Sequence, residues 1–254
     1  SPRLLWCLAG LTIAWGFNWT AMKGSFAEVS PWTFRSLCLG AGSGLLFAVL
    51  RANRQPLGVP RGQWGRLVLL ALFNITSWNI LVAYGVSMIP SGRAAILAYT
   101  MPVWAIPLSV LVLGEKITPR RAAGLVMGMA GMALLLVEDF AALRVAPLGS
   151  LLVLSAAFFW GLGTVLQKRY PVPMPLGAYT ASIMLIGGVP IFIGMALLDL
   201  GQPMPAISLP AALGVLYNVV IAFAWAHWAW LKLATTLPVS VFSYAYATTV
   251  AASL

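Results

Sequence analysis

The sequence predicts an all-α polytopic membrane protein: an inverted repeat of two five-helix halves, with ten spans expected and nine visible. Three observations predict it. Of the 254 residues, 61% are hydrophobic and only 8% are charged, too few charges to cover a water-soluble domain of this size. Apolar runs recur along the whole chain at about the ~20-residue length a helix needs to cross hydrocarbon. Finally, one helical pattern is written twice. Ala14–Lys23 reads AWGFNWTAMK and Phe159–Lys168 reads FWGLGTVLQK. Trp15, Gly16 and Lys23 thus return as Trp160, Gly161 and Lys168, at an offset of 145.

The predicted spans follow in chain order: 4–22, 32–50, 67–86, 94–113, 122–137, 148–166, 176–198, 209–231 and 239–254. They are apolar throughout. The strands of a membrane barrel would alternate every second residue, so helices are the element. Span one has the length of a membrane helix rather than of a short signal core. Span two follows Pro31 and carries Gly42-Ser43-Gly44, a small-residue patch suited to close helix packing. Pro90 and Pro238 precede spans four and nine at an offset of 148, where a missing N–H costs little. Glycines in spans two, five and six allow close contact between helices. No loop is long enough for a separate soluble domain. Cys7 and Cys38 both lie in apolar runs and are expected as small packing residues.

Charge sets the expected orientation. With the N-terminus in the cytoplasm, the inner segments hold Arg3, Arg51, Arg54, Arg61, Arg66, Lys116, Arg120, Arg121, Lys168, Arg169 and Lys232. The outer segments hold only Lys23, Arg93 and Arg144. Inner loops favour Lys and Arg, so the N-terminus is expected inside. The net charge of +10 is read as membrane orientation rather than nucleic-acid binding. Five spans in the first copy force the second to run upside down. The halves are expected at 1–137 and 146–254. The second lacks a counterpart to the end of span four and all of span five, so symmetry calls for a tenth span.

Trp15-Gly16 and Asn18, Pro31 with Arg35, Pro102, Gly114-Glu115 with Thr118, and the repeated Trp160-Gly161 resemble the drug/metabolite transporter superfamily, in its ten-span EamA-type exporter branch. The chain departs from that pattern in lacking the second Gly-Glu turn and the last span. The Trp- and Tyr-rich interior is similar to bacterial aromatic amino-acid exporters. The resemblance implies export of amino acids or related metabolites by alternating access across the bacterial inner membrane. It needs no cofactor, and its partners are a small-molecule substrate and the lipid bilayer; a monomer would suffice.

Helical spacing nominates the substrate-binding residues. Trp15, Asn18, Trp19 and Met22 share one face of span one. Trp160, Gly163, Thr164 and Gln167 form the matching face of span six. Such polar stripes suit either a wet cavity or helix–helix glue. Asn74, Trp78, Asn79 and Tyr84 in span three, Tyr99 in span four, and Tyr244 and Tyr246 in span nine add amides and rings. Aromatic walls suit a flat apolar ligand, and rings also crowd membrane interfaces. Trp6, Trp32, Trp64, Trp228, Trp230 and His227 are read as interfacial. Arg35, the one basic residue inside a span, fits either a carboxylate clamp or a snorkelling side chain. Pro102, Pro107 and Pro190 are the expected hinges. Enzyme, phosphate-loop and metal signatures are lacking. With no carboxylate in mid-span and the histidine read as interfacial, uncoupled facilitation is expected. The alternative is a broad-specificity drug or metabolite carrier coupled to an ion gradient.

Overall fold

A computed structural model describes residues 2–119, 147–201 and 206–237, with scattered positions between 122 and 130. Every regular element among the described residues is helical. We number the long helices α1 (Pro2–Phe26), α2 (Pro31–Ala52), α3 (Trp64–Met88), α4 (Ser91–Leu113), α5 (Pro147–Arg169), α6 (Leu176–Leu198) and α7 (Leu209–Thr236). Six of them, α2 to α7, are long and apolar enough to cross a membrane. At 1.5 Å per residue, the 22 residues of α2 reach ~33 Å, enough for a hydrocarbon core of ~30 Å. α1 is 25 residues long and carries Trp15, Asn18, Trp19 and Lys23 within its apolar run. Most of predicted span five and all of span nine, with Tyr244 and Tyr246, lie outside the described residues.

The helix ends follow from local chemistry. Ser30 caps α2, with Pro31 in its first turn. The Asp199 carboxylate adds to this cap. It accepts from the Thr33 N–H at 3.0 Å, from Thr33 Oγ1 at 2.7 Å and from the Ser30 hydroxyl. Ser208 caps α7, and Glu28 accepts from the Ser208 N–H at 2.6 Å and from Ser208 Oγ at 2.7 Å. The acid after α6 thus holds the start of α2, while the acid after α1 holds the start of α7. Gly114 ends α4 in the left-handed region, at φ 68°. At the opposite end of the bundle Lys168 Nζ meets Glu115 Oε1 at 3.2 Å and donates to the Leu237 carbonyl at 2.8 Å.

Helices from the two predicted halves interdigitate. α1 packs on α7, α2 on α6 and on the middle of α7, α3 on α5 and α6, and α4 on α5. α3 and α5 approach closely because Gly85 and Gly149 face each other's helix; a Cβ on Gly149 would lie 2.8 Å from Met88 Cβ. The outward faces stay apolar: Leu111 is 81% exposed and Leu197 77%. Such faces are stable against lipid and unfavourable in water.

Three features go beyond the predicted spans. α4 breaks at Tyr99–Thr100 and resumes at Met101, with Pro102 in its new first turn. α3 and α7 each widen into a π-helical stretch, Leu72–Ser77 and Asn218–Trp225. The two stretches begin 146 positions apart, close to the offsets of the repeated motifs. Such a stretch arises when N–H groups reach one carbonyl further back, and it frequently marks a functional site. α7 also runs five residues past its predicted end, which moves His227 and Trp230 inward along the helix.

Candidate functional site: an aromatic chamber beside a vestibule

Four tryptophans from four helices meet at the centre of the bundle. Trp160 of α5 lies 5.9 Å from Trp15 of α1, 4.8 Å from Trp78 of α3 and 5.5 Å from Trp230 of α7, between ring centroids. His227 stands edge-on to Trp15 at 6.0 Å and to Trp160 at 5.9 Å, and stacks on Phe223 at 5.0 Å. Each such ring pair contributes ~0.5–1.5 kcal/mol beyond its buried area. Trp15, Asn18, Trp19, Arg35, Trp78, Tyr99, Trp160, Ala222, Phe223 and His227 together line a chamber of about 40 Å³. At ~10–15 Å³ per water centre this holds only a few waters. The rings must part to admit a ligand of amino-acid size.

A second cavity, of about 180 Å³, adjoins it toward the end that carries Glu28 and Asp199. This vestibule is lined by Pro31, Trp32, Arg35, Asn79, Ile80, Ala83, Tyr84, Ser87 and Ile191. Arg35 lines both spaces.

The π-helical stretches position the polar atoms. The Ala222 carbonyl, inside the stretch of α7, accepts from Trp15 Nε1 at 3.2 Å and meets His227 Nδ1 at 3.1 Å. In α3, Asn79 Nδ2 donates to the Ile75 carbonyl at 2.8 Å, again inside a π-helical stretch. The break in α4 turns Tyr99 into the chamber, where its hydroxyl accepts from Trp19 Nε1 at 3.4 Å.

Arg35 is 4% exposed. Its Nη2 approaches Met22 Sδ at 3.0 Å, and its guanidinium carbon lies 5.7–5.9 Å from the ring centroids of Phe26, Phe34 and Phe223. A cation at the centre of a membrane helix costs roughly 2.5–3.5 kcal/mol; Arg35, one turn into α2, bears part of that cost, and each ring face returns ~0.5–2 kcal/mol. Three rings therefore offset much of the cost without neutralising the charge. Arg35 is packed in the bundle interior and does not snorkel.

The nominated residues divide into groups. Trp15, Asn18, Trp78, Tyr99 and Trp160 line the chamber, and Asn79 and Tyr84 the vestibule. Asn74, Thr164 and Gln167 form a buried network between α3 and α5: Gln167 Nε2 donates to Asn74 Oδ1, Asn74 Nδ2 to the Trp160 carbonyl at 3.3 Å, and Thr164 Oγ1 to the same carbonyl at 2.8 Å. Gly163 makes room for that network, since a Cβ there would lie 2.7 Å from the Asn74 amide. Of the hinge prolines, Pro102 starts the second part of α4, Pro107 lies within it, and Pro190 lies within α6.

The interfacial assignments of His227, Trp230 and Trp32 are corrected. His227 is 7% exposed and Trp230 2%, and both pack against the central tryptophans, while Trp32 lines the vestibule. Trp6 and Trp64 are exposed, as expected of outward rings. One signal for His227 was in the sequence: the 148-residue offset pairs it with Asn79.

A helical bundle with lipid-compatible outer faces around a ring-lined internal cavity defines a polytopic membrane transporter. Residues 3–137 match the EamA-like transporter family, and the chain belongs to that family. It is accordingly a transporter and not an enzyme. The uncharacterized transporter YoaV of Bacillus subtilis is 25% identical over 88% of this chain and 77% of its own length. YvbV of the same organism is 32% identical over 64% of this chain, which spans about half (52%) of that relative. A protein of Escherichia coli named "Probable amino-acid metabolite efflux pump" is 26% identical over 74% of this chain and 62% of its own. A solved crystal structure matches with a TM-score of 0.80 at 19% identity, covering 100% of this chain and 86% of that one. At that identity the likeness is one of fold.

Proposed function

We propose that the protein exports amino acids, aromatic and other apolar ones, by alternating access to the tryptophan chamber. The chamber lies between two inverted five-helix halves, 1–137 and 146–254, of a ten-span protein in the bacterial inner membrane, with the N-terminus cytoplasmic. The carrying observation is the meeting of Trp15, Trp78, Trp160 and Trp230 around a buried His227 and Arg35. Rings bind a flat apolar side chain, and the two nitrogenous groups supply its polar contacts. The E. coli relative's name supports the substrate class. The packing supports paired halves. α1 on α7 exchanges with α5 on α3, and α2 on the π-helical stretch of α7 exchanges with α6 on that of α3.

A second reading, coupling to protons, is favoured by His227. The expectation of uncoupled facilitation rested on a membrane interior without a titratable carboxylate or histidine, and His227 occupies the chamber wall. Purified protein in liposomes tests both readings. Saturable exchange of labelled tryptophan, competed by phenylalanine, is expected. An inward-acid pH gradient that drives accumulation against the tryptophan gradient indicates coupling; simple equilibration indicates facilitation. Absence of saturable flux for every amino acid would remove the substrate assignment.

A further inference from the structure

We propose that Arg35 and His227 grip the two charged ends of a zwitterionic α-amino acid, the carboxylate on the Arg35 guanidinium and the ammonium on His227 Nε2. This rests on the amino-acid reading above and specifies how the backbone end of the substrate is held.

The donor end is Arg35. No carboxylate lies within ion-pair distance of it among the described residues, and its Nε finds no acceptor there. Its neighbours are a thioether and three ring faces, all neutral. A planar guanidinium with open donors matches a carboxylate in shape and charge.

The acceptor end is His227. The Ala222 carbonyl can only accept, so Nδ1 carries the proton and Nε2 of the neutral ring carries a lone pair. Nε2 finds no partner among the described residues, and neither does Oδ1 of Asn18, on the same chamber. Donors at one side and acceptors at the other fit a zwitterion. A simple anion would leave the acceptors unmatched, and a simple amine would leave Arg35 unmatched.

Asn79 repeats the His227 arrangement on the vestibule side. Its Nδ2 is tied to the Ile75 carbonyl, and its Oδ1 lacks a partner among the described residues. Arg35 therefore stands between two pinned acceptors, Asn79 in the vestibule and His227 in the chamber. A zwitterion can keep its carboxylate on Arg35 while its ammonium passes from one acceptor to the other. Protonation of His227 would remove its acceptor and place a second cation beside Arg35. The other titratable or charged groups lining the chamber are Arg35 on α2 and Tyr99 on α4; α1, α3 and α5 present only tryptophans and Asn18.

The test measures competition with labelled tryptophan by tryptophan, tryptamine, which lacks the carboxylate, and indole-3-propionate, which lacks the ammonium. Wild type should bind each analogue at least ~10-fold more weakly than tryptophan. Arg35→Gln should lose about that factor for tryptophan and indole-3-propionate and leave tryptamine unchanged. His227→Phe should do the reverse: weaker tryptophan and tryptamine, unchanged indole-3-propionate. All three ligands binding wild type within threefold of one another would overturn the grip, even with tryptophan transported. So would uniform weakening in folded Arg35→Gln. If either variant fails to fold, the wild-type ranking decides alone. Absence of amino-acid binding together with absence of amino-acid flux would instead overturn the underlying substrate reading.

Discussion

Trp160 touches the rings of Trp15, Trp78, Trp230 and His227. A ligand ring that replaces some of these contacts draws on the same ~0.5–1.5 kcal/mol per pair. Trp160→Ala should therefore lower tryptophan and phenylalanine flux at least ~10-fold, or about 1.4 kcal/mol, while the protein still inserts. Flux per inserted protein in proteoliposomes checks this; unchanged flux would take Trp160 out of the site. Composition alone does not separate a ring facing a chamber from one at a membrane interface. That is why Trp15, Trp78 and Trp160 were legible, standing in mid-span, whereas Trp230 and His227 were not. Their predicted span stopped five residues early, and the surplus turns turned an interfacial position into an internal one. Asn74 and Gln167 illustrate the converse. Spacing puts polar groups on an inward stripe, but whether they bond to each other or face a cavity depends on the neighbouring helix.

At the scale of elements, close approach and caps carry the account. Gly163→Ala would place a Cβ 2.7 Å from the Asn74 amide and should destabilise the α3–α5 contact by ~1–3 kcal/mol, as overpacking does. A lowered melting temperature in detergent would show it. Glu28 gives a pH prediction. The Ser208 N–H, then the Ser208 hydroxyl, hold its carboxyl below the ordinary 4.5. A depressed carboxyl stabilises the fold above that ordinary value and loses the contribution as pH falls below it. The melting difference between wild type and Glu28→Gln should be constant above pH ~5 and shrink below ~4.5. A difference that grows on acidification would contradict the cap. The helices themselves were legible because each is a sustained apolar run. The π-helical stretches of α3 and α7 leave no comparable signature, since their extra residue is accommodated by packing against neighbouring helices.

For the whole molecule, the carboxylate ties sit at opposite ends of the bundle. Glu28–Ser208 and Asp199–Thr33 close one end, and Lys168–Glu115 joins elements at the other. The chamber between them is nearly shut at about 40 Å³, so under the proposed alternating access these ends open in turn. The predicted repeat could be read from Trp15-Gly16 and Trp160-Gly161, but the nesting of helices that brings those two tryptophans face to face is a tertiary fact. The most direct test places one cysteine in the chamber, Asn18→Cys, in protein with Cys7 and Cys38 replaced by serine. A membrane-impermeant thiol reagent is then applied to sealed vesicles of either orientation. Alternating access predicts labelling from both sides, slowed by tryptophan in each case. Labelling from one side only, or from both sides without protection by any amino acid, would contradict a single chamber that substrate reaches from alternate faces.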